Sequence, residues 1–229
     1  MNRRVGRTAS LIAILMMMFV PGLAAAQELI RSPSGKGRLA VVLSGATGSG
    51  NYREIATRIA GLGYDVVLFD SNKIIASAQN KNYGAALRAA VAQARQIAGM
   101  PTGKIAMVGF SLGGGLALGL GSTFSDEVAV VSAWYPMTSE IKNVPGFVGR
   151  ISVPVVMFAA TNDDYKFCCL ITKADEIAGA AKAANAPFEL TRYAGAKHGF
   201  SVPNADFDRA ATDDALARTA TALRRYLPN

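Results

Sequence analysis

The chain reads as an α/β protein: a mostly parallel sheet with helices on both faces. Two observations predict this. Short runs that are apolar almost throughout recur at residues 39–43, 65–69, 105–108, 127–133 and 155–160. A strand apolar on both sides is one that other elements cover on both sides. Segments with helical spacing separate these runs, and strands alternating with helices are the signature of a parallel sheet. With 229 residues and 51% hydrophobic composition, the chain is long enough for one well-packed domain and short for two.

In order, residues 1–26 have the layout of a secretory signal peptide. Arg3, Arg4 and Arg7 make a positive start, residues 11–20 an apolar core, Pro21-Gly22 a break, and Ala24-Ala25-Ala26 a small-residue cleavage site. The apolar core is too short for a membrane span. The mature chain, 27–229, is therefore expected to be periplasmic or secreted, with no stable membrane span after cleavage. The formal net charge is +8. The leader carries three of the 24 basic residues and none of the 16 acidic ones, which leaves +5 for the mature chain. This bias is mild, and no Lys/Arg cluster is interleaved with aromatics, so no nucleic-acid partner is expected.

A polar lead-in, 31–37, precedes the first strand, 39–43. A glycine-rich loop, 44–50, then opens a helix at 52–62, where Ile55, Ile59 and Leu62 share one side. The second strand, 65–69, ends at Asp70. A long helix spans 83–98, with Leu87, Ala90, Val91, Ala94 and Ile97 on one face. The third strand is 105–108, followed by a helix at 116–120. The fourth is 127–133, and a loop rich in Pro and Gly covers 136–150. Strand 155–160, helix 174–184, strand 188–193 and an amphipathic helix at 213–226 complete the chain. No repeat, linker or insertion long enough for a large lid interrupts it.

Chemistry concentrates in Gly109-Phe110-Ser111-Leu112-Gly113. G-x-S-x-G between a buried strand and a helix is a nucleophile elbow, a tight turn that projects the serine hydroxyl above the strand ends. Gly109 and Gly113 leave room across that turn. A serine hydroxyl needs a base, and the base needs a carboxylate partner. The chain has one histidine, His198. It lies in a loop after the last strand, at the carboxyl edge where Ser111 also projects. The acid is expected after a strand, between serine and histidine in the chain. Asp163 and Asp164 both follow strand 155–160; Asp163 is preferred, with Asp164 as a capping or solvated residue. Oxyanion donors are expected from the backbone N–H groups of Leu112, directly after the nucleophile, and Ala46, in the loop after the first strand. No cofactor or metal is expected.

Cys168 and Cys169 are adjacent. Consecutive Cα atoms lie about 3.8 Å apart, below the usual disulfide range. Two buried thiols are the expectation; a strained vicinal disulfide or an intermolecular bridge are the alternatives. Four-ligand zinc binding does not fit this spacing.

At this point the chain resembles the dienelactone hydrolase family of the α/β-hydrolase fold. The pieces that carry the resemblance are the strand and loop Ala40-Val-Val-Leu-Ser-Gly45, the helix and turn Ile59-Ala-Gly-Leu-Gly-Tyr64, the elbow Gly109-Phe-Ser-Leu-Gly-Gly114, Trp134-Tyr135-Pro136, and Tyr193-Ala-Gly-Ala-Lys-His198-Gly-Phe200. The resemblance implies a small lidless serine hydrolase acting on esters or lactones, with Ser111, Asp163 and His198 as its triad. The founding enzymes carry cysteine as nucleophile and His-Gly at the oxyanion loop, where this chain has Ser111 and Ser44-Gly45.

Two other classes compete. The run 41–50 looks like the opening of a dinucleotide-binding fold, Asp70 stands where a ribose-binding acid would, and Tyr193 and Lys197 have the Tyr-x-x-x-Lys spacing of an NAD(P) oxidoreductase. However, glycines at 45, 48 and 50 do not fit G-x-G-x-x-G, and Gly195 breaks the segment between Tyr193 and Lys197. The other class is a non-catalytic exported binding protein on a hydrolase scaffold.

Overall fold

The computed structural model describes residues 27–35 and 37–228. The proposed leader lies outside the described residues. Seven strands form one sheet: β1 (Gln27–Ile30), β2 (Arg38–Leu43), β3 (Tyr64–Phe69), β4 (Ile105–Phe110), β5 (Val128–Trp134), β6 (Val155–Ala160) and β7 (Phe188–Tyr193). Their order is β1-β3-β2-β4-β5-β6-β7. All neighbours are parallel except β1, which pairs antiparallel with the outer edge of β3. β1 was not expected from the sequence: Gln-Glu-Leu-Ile is too short and polar to read as a buried strand. It is half-buried along its length, as an edge strand can be.

Among the described residues, seven α-helices complete the layers: α1 (Arg53–Ala60), α2 (Ser71–Ser77), α3 (Tyr83–Ala98), α4 (Leu112–Gly119), α5 (Val144–Val148), α6 (Ile171–Ala183) and α7 (Arg209–Tyr226). The period-two alternation of the strands builds two cores. Leu39, Val41 and Leu43 of β2 join Val67, Met107 and Val131 under α3, α4 and α6. Ala40 and Val42 face the other way and join Val66, Val108 and Val130 under α1 and α7.

Several boundaries differ from the sequence expectations. The helix after the elbow starts at Leu112, because glycines at 113–115 are carried inside α4 by tertiary packing. Helix 52–62 divides into a 3-10 turn at Ser49–Tyr52 and α1, and the loop 136–150 contains α5, whose Asn143 cap accepts from the Gly146 amide. α2 is capped by Asp70, which accepts from Asn72 N–H. One charged strand residue is fully buried among the described residues: Asp65 on β3 accepts from Arg31 at 2.7 Å and from Ser32 N–H at 2.8 Å.

The topology locates the site. Strand β3 lies on one side of β2 and β4 on the other, so the chain reverses direction across the sheet between β2 and β4. The loops leaving these two strands at their carboxyl ends part there and leave a crevice. Those loops carry Ser44-Gly45-Ala46 and Ser111.

Candidate active site

Ser111 sits at φ 51°, ψ −112°, a conformation that L-residues seldom adopt. Its backbone is held on both sides. Its N–H donates to Trp134 O at 3.0 Å, and its carbonyl accepts from Gly115 and Met137 N–H, each at 2.9 Å. Strain of this kind persists where the surroundings over-determine it. The elbow glycines are required by close approach: a Cβ on Gly109 would strike the Gly113 backbone, and one on Gly113 would lie 2.5 Å from the carbonyl oxygens of Leu43 and Ser44. Gly113 N–H also donates to Ser44 O at 3.0 Å, which ties the start of α4 to the loop after β2.

The structure brings together three of the residues predicted from the sequence. Ser111 Oγ lies 2.9 Å from His198 Nε2, and His198 Nδ1 lies 2.7 Å from Asp163 Oδ2. Asp163 is buried, and its second oxygen accepts from Tyr165 N–H at 3.2 Å. Asp164 is exposed and takes no part in this chain; its carbonyl accepts from Phe167 N–H. The loops carrying the acid and the histidine are joined: Asn162 N–H donates to Ala196 O at 3.0 Å, and Gly195 N–H to Thr161 Oγ1 at 2.8 Å. Gly195 and Gly199 take φ of 76° and 74°, which lets the loop turn on either side of His198. Fully buried Phe200 anchors that loop among Trp134, Tyr135 and Tyr193.

Two tyrosines hold the imidazole, and sequence reasoning assigned a role to neither. Tyr165 stacks on it, with ring centroids 4.5 Å apart and planes at 9°. Tyr135 meets it edge-on at 5.1 Å and 70°. Tyr135 has φ 35°, is buried, and shares a 2.7 Å hydrogen bond with Ser201. Burial pushes its phenol well above the usual tyrosine range, so it stays neutral beneath the histidine. Both had a sequence signal: Tyr135 follows Trp134 at a strand end, and Tyr165 stands two residues after the acid.

The two residues predicted to supply the oxyanion donors lie close to the serine, one next to it in the chain and one in the same cleft. Leu112 is the first residue of α4, where N–H groups have no acceptor within the helix. Ala46 lines, with Ser111, Tyr52 and His198, a cleft of about 400 Å³. Gly45 is needed beneath it, because a Cβ there would collide with the Tyr52 hydroxyl. Lys197 and Asp206 also line the cleft and pair at 3.2 Å.

The cysteines differ from expectation. Cys168 and Cys169 are joined as a vicinal disulfide, with Cα atoms 3.8 Å apart. Adjacent thiols read as small apolar residues in the sequence. In the structure the half-buried Cys168 is turned back on the active-site side of the chain, with its sulfur beside His198.

The oxidoreductase features are used otherwise. Asp70 caps α2, Tyr193 donates to Asp214 at 2.8 Å, and Lys197 pairs with Asp206, so the tyrosine and lysine serve different neighbours.

Comparison with known proteins places the chain. No curated protein matches it. Among solved structures, a candidate dienelactone hydrolase from Klebsiella pneumoniae superposes with a TM-score of 0.73 at 17% identity, over 87% of this chain and 92% of that one. A thermophilic esterase from Thermogutta terrifontis, with propionate bound, gives 0.64 at 20% identity, covering 88% and 89%. A dienelactone hydrolase-like promiscuous phosphotriesterase from metagenomic libraries gives 0.64 at 18%, covering 87% and 92%. At these identities the likeness speaks for the fold. The model of the dienelactone hydrolase family matches residues 27–227, and the chain belongs to that family of carboxylic-ester hydrolases.

Proposed function

We propose that the protein hydrolyses carboxylic esters or lactones through an acyl-enzyme on Ser111, with His198 as base and Asp163 as its orienting acid. The observation that carries this reading is the continuous relay from Ser111 Oγ to His198 Nε2 at 2.9 Å and from His198 Nδ1 to Asp163 at 2.7 Å. His198 takes the serine proton as Oγ attacks the carbonyl carbon. Asp163 fixes the ring so that Nε2 faces the serine, and stabilises the imidazolium that forms. The N–H groups of Leu112 and Ala46 receive the developing oxyanion. The imidazolium then protonates the departing alcohol, and water repeats the sequence on the acyl-enzyme. In a lactone the leaving alkoxide stays attached, so one product carries both acid and alcohol.

The leader sequence supports an exported enzyme. The cleft, about 400 Å³, lies in the size range of small-molecule sites and is open to solvent, which favours a small ester or lactone. Structures of the Thermogutta terrifontis esterase with propionate and butyrate bound point the same way. The test is hydrolysis of p-nitrophenyl acetate and butyrate by wild type and Ser111→Ala. The substitution should lower kcat by about 10³-fold or more and abolish labelling by a fluorophosphonate. Full activity in Ser111→Ala would refute the assignment.

A further inference from the structure

We infer that Cys168 and Cys169 form a redox-gated capture site for a soft divalent cation, closed as the disulfide and opened by reduction, with His198 as the third ligand. The two sulfurs and a ring nitrogen of His198 all lie within 4.8 Å of one another, in the one such cluster among the described residues. In the disulfide the sulfurs are uncharged and bonded to each other. As thiolates they are soft ligands that select zinc-like and softer ions. Two cysteines and one histidine make a three-ligand site with a fourth position open to water.

The backbone keeps the sulfurs beside the imidazole without help from the bond between them. Lys166 and Phe167 take φ of 47° and 54° and fold the segment after Asp163 back on itself. Cys168 N–H donates to Tyr165 O at 3.0 Å, and Cys168 O accepts from the N–H groups of Thr138 and Ser139, each at 2.9 Å. Tyr165, on the same segment, is stacked on the ring. None of these contacts involves sulfur, so reduction leaves both thiols near His198.

Opening requires a dithiol reductant. Its thiolate attacks one cysteine sulfur and breaks the Cys168–Cys169 bond, giving a mixed disulfide. Its second thiol then closes on the first, leaving two cysteine thiols and the oxidised, cyclic reductant. The cation replaces one proton on each thiol, releasing two protons to solvent, and takes the lone pair of a ring nitrogen; the metal changes no oxidation state. Both ring nitrogens are already engaged, one with Ser111 and one with Asp163. Any metal on His198 therefore breaks the relay.

The inhibitory consequence rests on His198 being the base, as proposed above; metal capture itself does not. Intact protein is reduced with dithiothreitol, desalted without oxygen, and titrated with Cd²⁺. Thiolate-to-cadmium absorption and p-nitrophenyl acetate hydrolysis are followed together. Reduced wild type should bind one equivalent, with activity falling about 10²-fold or more, the worth of a lost general base. Oxidised wild type should show no such absorption and keep its activity. In the reduced state, His198→Asn should bind Cd²⁺ more weakly by about tenfold or more, and the double variant Cys168→Ser/Cys169→Ser should lose the absorption. The inference is overturned if reduced protein gives no cadmium–thiolate absorption, if His198→Asn binds Cd²⁺ as tightly as wild type, or if cysteine thiols are already free before reduction; saturation that leaves activity intact would refute His198 as the base. An oxidised enzyme without esterase activity would instead refute the proposed function, while the absorption would still decide metal capture.

Discussion

The adjacent aspartates Asp163 and Asp164 differ both in burial and in reach to the imidazole. Asp163 is enclosed and within 2.7 Å of the imidazole; Asp164 is one residue on and exposed. Asp163→Asn should keep the fold but favour the wrong imidazole tautomer, and lower kcat by about 10⁴-fold. Asp164→Asn should change kcat less than about tenfold, since an exposed carboxylate outside the relay contributes only through screened solvent. Steady-state kinetics on one p-nitrophenyl ester decide between them. Tyr165 acts through His198: its face covers the ring at 4.5 Å and its N–H donates to Asp163. Tyr165→Phe keeps both the face and the N–H, and should leave kcat unchanged, whereas Tyr165→Ala should lower kcat more than it changes KM.

At the scale of an element, the elbow and α4 depend on glycines for different reasons. A methyl on Gly113 meets the backbone carbonyls of Leu43, at the end of β2, and Ser44, just after it, neither of which can rotate away. Gly113→Ala should cost about 1–3 kcal/mol by overpacking and lower kcat, because it displaces α4 and with it the Leu112 N–H. Gly119 closes the same helix with nothing within 4 Å of its would-be Cβ. Gly119→Ala should be neutral or stabilising by up to about 1 kcal/mol. Urea melts of the two variants test the contrast. The histidine loop depends on Phe200, whose ring packs on Trp134, Tyr135 and Tyr193, and whose carbonyl accepts from Thr212 at 2.9 Å and from Asp208 N–H. Phe200→Ala should destabilise the protein by about 3–5 kcal/mol.

Across the whole molecule, Asp65 is the charge the sheet buries. Burial by itself raises its pKa, but the Ser32 N–H and the Arg31 guanidinium outweigh this, and the net shift is downward. An unfolded aspartate titrates near about 3.9. The fold therefore binds this proton less readily than the unfolded chain does. The stabilisation is present above that pH and is lost as pH falls through the lower folded value. The melting temperature of wild type should drop more steeply on acidification below about pH 4 than that of Asp65→Asn, as a thermal scan across pH would show. The same bond ties the segment following β1 to β3, so the edge strand should loosen first in acid.

Much of this protein was legible in one dimension. Runs of β-branched and aliphatic residues announced five of the seven strands, because a strand covered on both faces admits few polar side chains; β7, expected at 188–193, is half-exposed and mixed in sequence. The order of Ser111, Asp163 and His198, each in a loop after a strand, places all three at one sheet edge. β1 and the short helices α2 and α5 were not legible, because their stability comes from partners distant in sequence rather than from their own periodicity. Which of Asp163 and Asp164 lies against His198, the two tyrosines around the imidazole, and the pairing of the cysteines appear only in the tertiary structure. Sequence specifies which groups follow which strand. Distance to His198 depends on how the segment after Asp163 folds back through Lys166 and Phe167, and no local pattern of residues encodes that path.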